Sequence, residues 1–409
     1  MKLLAISEHY FPRVGGTVSY VHETLTALSK LGVEAELLVP GRHPEGWQSG
    51  QMRELPYRVT WMDVGYPTQG NPDRQTRYRF CRRVNEVAQS RARSVNAPDL
   101  VHVVFGLFVM ELLETEKLRE KGLRSVATVH NVPPHECRTV SPYASVLAKI
   151  KEELRLHMVK RKNHARITAH SYDAIVVPSD QVLSLVTPLL PKQTPDVIGH
   201  GPTADLVGLM SPPNCRRPAQ RKPLRLLTAG GYAPHKRQHL IPMIAQLLCD
   251  RGLEIEWDVV GPSGRVAGYF DRIVRTVNRT TLEKRVRLQS SVSVHELAGL
   301  YDAANLYVQP SIEEGFCITA LDAAAAGLPV IASPAGALAR IAQASSGLLA
   351  ESSPWPLAGA IMKFVRDDRW GDARESARNV REQFSWDMAA AALRNRYEAI
   401  LRKDAYQNA

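Results

Sequence analysis

A chain of 409 residues, 44% hydrophobic and 23% charged, has the composition of a soluble globular protein and is too long for one ordinary core, so two domains are expected. No stretch approaches the roughly 20 apolar residues that span a bilayer, and the Met1 to Ser7 run meets Glu8 and His9 too early for a signal peptide, which points to a cytoplasmic protein. The formal charge of +11 implies attraction to something anionic, whether a nucleotide diphosphate, a phospholipid surface or nucleic acid, but no nucleic-acid reader motif or interleaved aromatic platform accompanies it.

In chain order, the apolar Lys2 to Ser7 run reads as a buried first strand. After a loop from Glu8 to Gly16, Val18, Val21, Leu25, Leu28 and Leu31 recur at helical spacing, and Gly32 closes that helix. Gly15-Gly16 ends the loop and opens the helix, so backbone can approach a phosphate there, although such a pair is also an ordinary turn. Further strands are expected at Ala35 to Val39, Leu100 to Val104, Val126 to Val129 and Ala174 to Val177, separated by helical stretches; the alternation predicts an α/β fold with a parallel, doubly wound sheet. His130 follows one of these strands at its carboxyl end, where ligands gather in open parallel sheets. His135 and Glu136 lie on the adjoining loop.

Two basic stretches stand out in this half, Arg74 to Arg83 and Lys149 to Arg166. In the second, Ile150, Leu154 and Met158 alternate with Lys149, Lys151 and Lys160-Arg161-Lys162 as in an amphipathic helix with a cationic flank, readable as a solvated face or as a contact with anionic lipid. Around 204–223 the composition shifts to proline and arginine, the best candidate for a linker. The alternation then restarts with strands at Leu224 to Thr228, Ile255 to Val260, Val286 to Leu288 and Leu306 to Gln309, and helices at His239 to Cys249, Val266 to Leu282 and His295 to Ala303. A last helix is expected from Met388 to Leu401, started by Ser385 or Asp387.

The most telling stretch is Pro310-Ser311-Ile312-Glu313-Glu314-Gly315-Phe316-Cys317-Ile318, followed by Asp322. It turns from strand into helix, so backbone N–H groups and a partial positive charge meet beside Glu314, with Asp322 eight positions on. Gly230-Gly231-Tyr232-Ala233-Pro234-His235-Lys236-Arg237 follows the first strand of the second half and brings basic groups to another strand end. The five cysteines, Cys81, Cys137, Cys215, Cys249 and Cys317, suggest neither a disulfide framework nor a zinc site. No Asp-x-Asp metal motif is present.

These motifs resemble, over nearly the whole length and in family order, the retaining glycosyltransferases of family 4 (glycosyl transferases group 1) with the GT-B fold. The resemblance implies two Rossmann-like domains facing a cleft: 1–203 on the acceptor side, 224–384 binding the nucleotide sugar, 204–223 linking them, and a helix in 385–409 crossing back to the first. It implies transfer of a sugar from a nucleotide diphosphate sugar, UDP-linked by preference and GDP-mannose second, to a glycan, lipid-linked or small-molecule acceptor, without a metal or other cofactor. By the same resemblance Glu314, Lys236 and His130 are the catalytic candidates: Glu314 holds donor-sugar hydroxyls, Lys236 neutralises the departing diphosphate and His130 contacts the sugar's far end. Asp322 stands where the family has a Glu for the ribose, and Gly15, Gly16, Gly231, Arg237, Gly315, Phe316, Cys317 and Ile318 complete the donor-binding set. Two departures matter. Gly231 replaces the family's arginine, which Arg237, or more weakly His235, is expected to offset, and Cys317 stands where the family often has Gly. With these departures, the alternative is a degenerate member that binds a sugar nucleotide or a partner without turnover.

Overall fold

The computed structural model describes residues 1–13, 15–42, 55–67, 72–132, 137–214, 216–218, 222–264 and 266–407, with side chains through 402. His135 and Glu136 lie outside the described residues. The chain divides into two compact units, Met1–Val132 with Arg161–His200 and Trp386–Ala409, and Pro133–Lys160 with Gly201–Ser385. Residues 133–160, expected in the first domain, thus go with the second unit.

The first unit carries seven strands: β1 (Lys2–Ser7), β2 (Glu34–Pro40), β3 (Arg58–Met62), β4 (Leu100–Phe105), β5 (Arg124–Thr128), β6 (Ala174–Val177) and β7 (Asp196–Val197). They lie in the order β3-β2-β1-β4-β5-β6-β7 and pair in parallel, with Lys2 opposite Glu34 on one side of β1 and Leu3 opposite Leu100 on the other. The central strands are buried on both faces, which is why they read as continuous apolar runs rather than alternating ones. The Gly16–Lys30 helix covers the sheet with Val18, Val21, Leu25 and Leu28, and Gly32 (φ 78°) ends it in the left-handed region.

The helix Trp386–Gln407 belongs to this first unit and packs on the Gly16–Lys30 helix. Trp386 stacks on His200 with ring centroids 5.6 Å apart, and the Tyr397 hydroxyl lies 2.6 Å from His102 Nδ1, whose Nε2 meets Thr128 Oγ1 at 2.8 Å. His102 is fully buried, and burial holds its pKa down to about 3, so the ring is neutral and both nitrogens have hydroxyl partners.

In the second unit β8 (Leu224–Ala229), β9 (Ile255–Val260), β10 (Val286–Gln289), β11 (Leu306–Gln309), β12 (Val330–Ala332) and β13 (Leu348–Leu349) form a parallel sheet in the order β10-β9-β8-β11-β12-β13. Trp257, Tyr269 and Phe364 fill its core, the Trp257 indole N–H donating to Thr228 Oγ1 at 3.1 Å so that burial leaves no polar atom stranded there. In both sheets the strand order reverses once, between β1 and β4 and between β8 and β11. Loops leaving neighbouring strands at such a switch point splay to opposite faces and open a crevice at the carboxyl ends.

The expected linker is not a bare tether. Its Ala204–Leu209 stretch is helical with Leu206 buried, and Arg216 is buried with Nη1 donating to the Asp302 carbonyl at 2.8 Å and Nη2 to the Ala326 carbonyl. An arginine in a proline-rich run reads as solvated, but here its fork collects the carbonyls that end two helices.

Candidate active site

The loops after β8 and β11 meet at the second unit's switch point. The first runs through Gly230 and Gly231 into a single 3₁₀ turn, Pro234–Lys236, which aims the Lys236 side chain back across the strand ends. The second runs from Pro310 to Cys317 and is tied down on three sides: Ile312 N–H donates to the His235 carbonyl at 2.8 Å, Ser333 Oγ to the Ser311 carbonyl and Ser352 Oγ to the Pro310 carbonyl. Gly336 (φ 58°) packs against this loop so closely that a Cβ there would fall 2.5 Å from the Glu314 carbonyl oxygen.

So braced, the two loops bring Lys236 and Glu314 together, Nζ to Oε1 at 2.7 Å. The same oxygen accepts from Ser311 Oγ at 2.7 Å, and Gln309 Nε2 reaches Ser311 Oγ at 2.7 Å and Glu314 Oε1 at 3.5 Å. Glu314 is only 8% exposed at its side chain and Lys236 18%, so this is a largely desolvated ion pair in which hydrogen bonds offset the cost of burial. Gln309 and Ser311 escaped the sequence reading; Ser311 stands three residues before Glu314, a spacing at which a hydroxyl and a carboxylate meet in a turn. The neighbouring Glu313 is also buried, 8% exposed.

The other donor-side candidates are placed as follows. Cys317 (φ 81°) turns the chain into the Ile318–Ala325 helix; burial pushes its thiol up to about 12, which removes it as a nucleophile. Phe316 is buried edge-on to Phe384 at 6.0 Å and Ile318 is buried, so their side chains are spent on packing. Arg237 (φ 56°) sends Nη1 to the Ser352 carbonyl at 2.6 Å. A Cβ on Gly231 would meet only the Pro262 carbonyl oxygen at 3.6 Å and Pro262 Cγ at 3.9 Å, ordinary contacts, so no backbone demand or close packing requires glycine there.

Asp322 lies on the Ile318–Ala325 helix that this loop opens. It is 2% exposed, its Oδ1 accepts the Thr203 N–H at 2.7 Å and its Oδ2 the Thr203 hydroxyl at 3.2 Å. One methylene shorter than glutamate, the carboxylate stays close to its own helix and is turned onto Thr203, a partner 119 positions away that spacing alone could not announce.

Gly15, Gly16 and His130 belong to the first unit. Gly15 (φ 146°) is exposed and a Cβ there would meet nothing, so the backbone conformation and not space asks for glycine; the helix that follows has no side-chain cap. His130 follows β5, with Nε2 2.8 Å from the Val104 carbonyl. That bond makes Nε2 the donor and, in the neutral ring, leaves Nδ1 as an acceptor. Tyr20, on the Gly16–Lys30 helix, stands edge-on to His130 at 4.4 Å, so histidine and diglycine share one wall. Among the described residues no three His, Cys, Asp or Glu side chains gather to hold a metal ion, and no helix is long and apolar enough to cross a membrane.

Two family models match this chain, Glycosyltransferase Family 4 over residues 14–206 and Glycosyl transferases group 1 over 216–383. Among similar proteins, the D-inositol 3-phosphate glycosyltransferase of Corynebacterium glutamicum is 25% identical, with 99% of this chain and 98% of that protein covered. That of Corynebacterium jeikeium is 34% identical over 40% of each chain. Among solved structures, sucrose-phosphate synthase of Thermosynechococcus elongatus superposes with a TM-score of 0.76 at 20% identity, covering 98% of this chain and 99% of that one. Anabaena Alr3699/HepE in complex with UDP gives a TM-score of 0.66 at 15% identity, covering 98% and 100%.

Proposed function

Because the chain belongs to the group 1, family 4 glycosyltransferases with the GT-B fold, we propose that it moves a sugar from a nucleotide diphosphate sugar to an acceptor hydroxyl with retention at the anomeric carbon, using the β8/β11 switch point as its donor site. The observation that carries this reading is the Lys236–Glu314 pair, 2.7 Å apart and largely desolvated at the carboxyl ends of two adjacent strands. A departing diphosphate needs positive charge where its own develops, and a lysine held in place supplies it without reorganisation. Glu314, oriented through Oε1 by Ser311, presents a carboxylate to sugar hydroxyls, while the leaving phosphate takes the acceptor's proton. Asp322 can serve the ribose only by exchanging Thr203 for the diol. By the family resemblance alone, His130 is kept as the proposed contact for the far end of the sugar.

UDP is the preferred nucleotide and GDP the second: two fold neighbours are described as complexes with UDP or UDP-glucose and with UDP-2-fluoro glucose. No metal is needed in this scheme, since Lys236 takes the part of the cation. The acceptor is a glycan, a lipid-linked glycan or a small molecule. One observation favours contact with an anionic membrane surface: on the Val146–Thr168 helix Leu147, Ile150, Leu154 and Met158 are all more than half exposed at helical spacing, flanked by Lys149, Lys151 and Lys160.

The test is calorimetric titration with UDP and GDP, with and without magnesium, followed by release assays on a panel of their sugars. Metal-independent binding of one nucleotide, slow release from one of its sugars, and loss of that release in folded Glu314→Ala are expected. Binding with no turnover across donors and acceptors would hand the chain to the degenerate, non-catalytic alternative.

A further inference from the structure

The pairing of Lys236 with Glu314 leaves unexplained why β11, a strand buried on both faces, spends two of its four positions on polar side chains. It reads Leu306-Tyr307-Val308-Gln309, and Tyr307 and Gln309 are both 0% exposed. Apolar residues would fill those places with no polar atom to satisfy, so the polar pair needs a reason outside packing. Standing two apart, the pair shares one face of the strand. The Tyr307 hydroxyl lies 2.9 Å from Gln309 Oε1, seated between the Ala229 carbonyl at 2.9 Å and Thr319 Oγ1 at 3.0 Å. The Ala229 carbonyl has a second donor in Thr319 Oγ1 at 3.0 Å, so the Tyr307 proton can go to Gln309.

From there the polarity runs one way. Glu314 Oε1, paired with Lys236, only accepts, so the end of the Gln309 amide that faces it at 3.5 Å is the NH2 and the end that faces Tyr307 is the carbonyl. Gln309 Nε2 donates to Ser311 Oγ at 2.7 Å, which leaves the Ser311 proton for Glu314 Oε1, also at 2.7 Å. Burial raises the Tyr307 pKa well above the usual tyrosine range, so the hydroxyl at the head of the chain keeps the proton it donates. In a desolvated site each bond of such a chain polarises the next. The chain ends on one oxygen: Lys236, Ser311 and Gln309 converge on Oε1, whereas Oε2 takes no hydrogen bond from any described residue. It begins at Ala229, from which the loop carrying Lys236 departs.

We propose that Tyr307 and Gln309 are positioning residues for the transfer: acting through Ser311, they clamp Glu314 by Oε1 so that Oε2 stays turned to the donor sugar once Lys236 is drawn to the diphosphate. This role rests on the transferase reading above and deepens it. In the pair as it stands, Lys236 shares in orienting the carboxylate. When a diphosphate competes for that ammonium, the described donors left on Oε1 are Ser311 and Gln309. Without the amide behind it the Ser311 hydroxyl can rotate away, and the carboxylate, whose last torsion is broad, then meets sugar hydroxyls with neither oxygen in a fixed place.

The experiment compares Gln309→Leu, Tyr307→Phe and Glu314→Ala with the parent in the full chain, by steady-state donor turnover and by calorimetry. The probes are UDP-glucose and UDP, or GDP-mannose and GDP if the parent binds only that pair. Gln309→Leu is expected to lower kcat about ten- to a hundredfold while the affinity for the nucleotide diphosphate stays at the parental value. Tyr307→Phe, which keeps the ring, should lower kcat about three- to tenfold. In a Glu314→Ala background neither substitution should cost anything further, because each acts only through that carboxylate. A purely structural role would instead weaken nucleotide binding along with kcat and add its loss to that of Glu314→Ala. Parental kcat in both variants, or fully additive losses, would overturn the proposal. If Gln309→Leu fails to fold, Tyr307→Phe carries the same test. A parent that binds no nucleotide or turns over no donor strikes the transferase reading and this role with it, whereas an active parent matched by both variants strikes this role alone.

Discussion

The β1/β4 and β8/β11 switch points hold the same topological place in their sheets but treat charge in opposite ways. At β8/β11 the cation and the acid are matched one to one, Lys236 on Glu314, with Ser311 and Gln309 converging on the same carboxylate oxygen. At β1/β4 the acid is withdrawn into the protein as Glu8, and the neighbouring Arg77 and Arg166 crowd the Phe108 ring beside the carboxylate of Glu111. The first arrangement is electrostatically closed until a ligand with both a cation-binding and a hydroxyl-bearing end divides the pair. The second keeps an excess of positive charge. Topology decides where a crevice forms, and a handful of side chains at the strand ends decides what it can accept.

The comparison breaks most sharply at Lys236. In Lys236→Ala, Glu314 loses its counter-ion and the diphosphate its stabilising charge, so kcat should fall by about 10²–10³ with the far-UV spectrum unchanged. A variant as active as the parent would remove the pair from the chemistry and with it the contrast between the two loops.

A second effect separates the units by pH. The His102 pKa falls from 6.5 in the unfolded chain to about 3 when folded, so between those values the unfolded state binds the extra proton. Stability is therefore lost as pH drops from about 6.5 towards 3, by about 1.4 kcal/mol per pH unit from this residue alone. His239 in the second unit, lowered to about 4 by burial, adds the same slope over a narrower window and so a smaller total. Denaturant melts from pH 7 to 4 should show the decline, and His102→Gln should flatten it. An unchanged slope in that variant would place the acid sensitivity elsewhere.

Arg237→Ala tests whether an adjacent cation stands in for the arginine that Gly231 replaces. If it does, turnover falls about ten- to a hundredfold, the worth of one charge-assisted hydrogen bond. Untouched turnover would mean that the bond to the Ser352 carbonyl is its whole purpose. The smallest effect is expected at Cys317. At φ 81° a non-glycine residue is strained, and Cys317→Gly should relieve it with a net gain of up to about 1 kcal/mol, since glycine's greater freedom when unfolded takes back part. Thermal melts decide the sign.

Long, buried parallel strands were legible in the sequence because a strand covered on both faces leaves a continuous apolar run: Lys2–Ser7, Ile255–Val260 and Leu306–Gln309 stand where the pattern puts them. Short or half-exposed strands were not. β3, β7, β12 and β13 run from two to five residues and are half-exposed or too short to show a period. The stretch expected to be helical from Val266 to Leu282 settles as Tyr269–Asn278, started at Gly268 in the left-handed region. At the site, Glu314 and Lys236 could be named because the turn-rich segments in which they follow strands match the family's motifs. Their support from Gln309, Ser311 and Gly336, and the capture of Asp322 by Thr203, depend on distances between segments that no spacing encodes.

The helix that begins at Trp386 lies in the first unit although the whole of Gly201–Ser385 precedes it in the chain. During synthesis, the sheet that starts at Lys2 emerges early, yet the hydroxyl that meets His102 arrives on Tyr397, 295 residues later. Until then His102 Nδ1 lacks its hydroxyl partner, and the Gly16–Lys30 helix lacks the helix that packs on it. The first unit is therefore complete only after the second has been synthesised, and contacts of such sequence separation are the kind that slow folding.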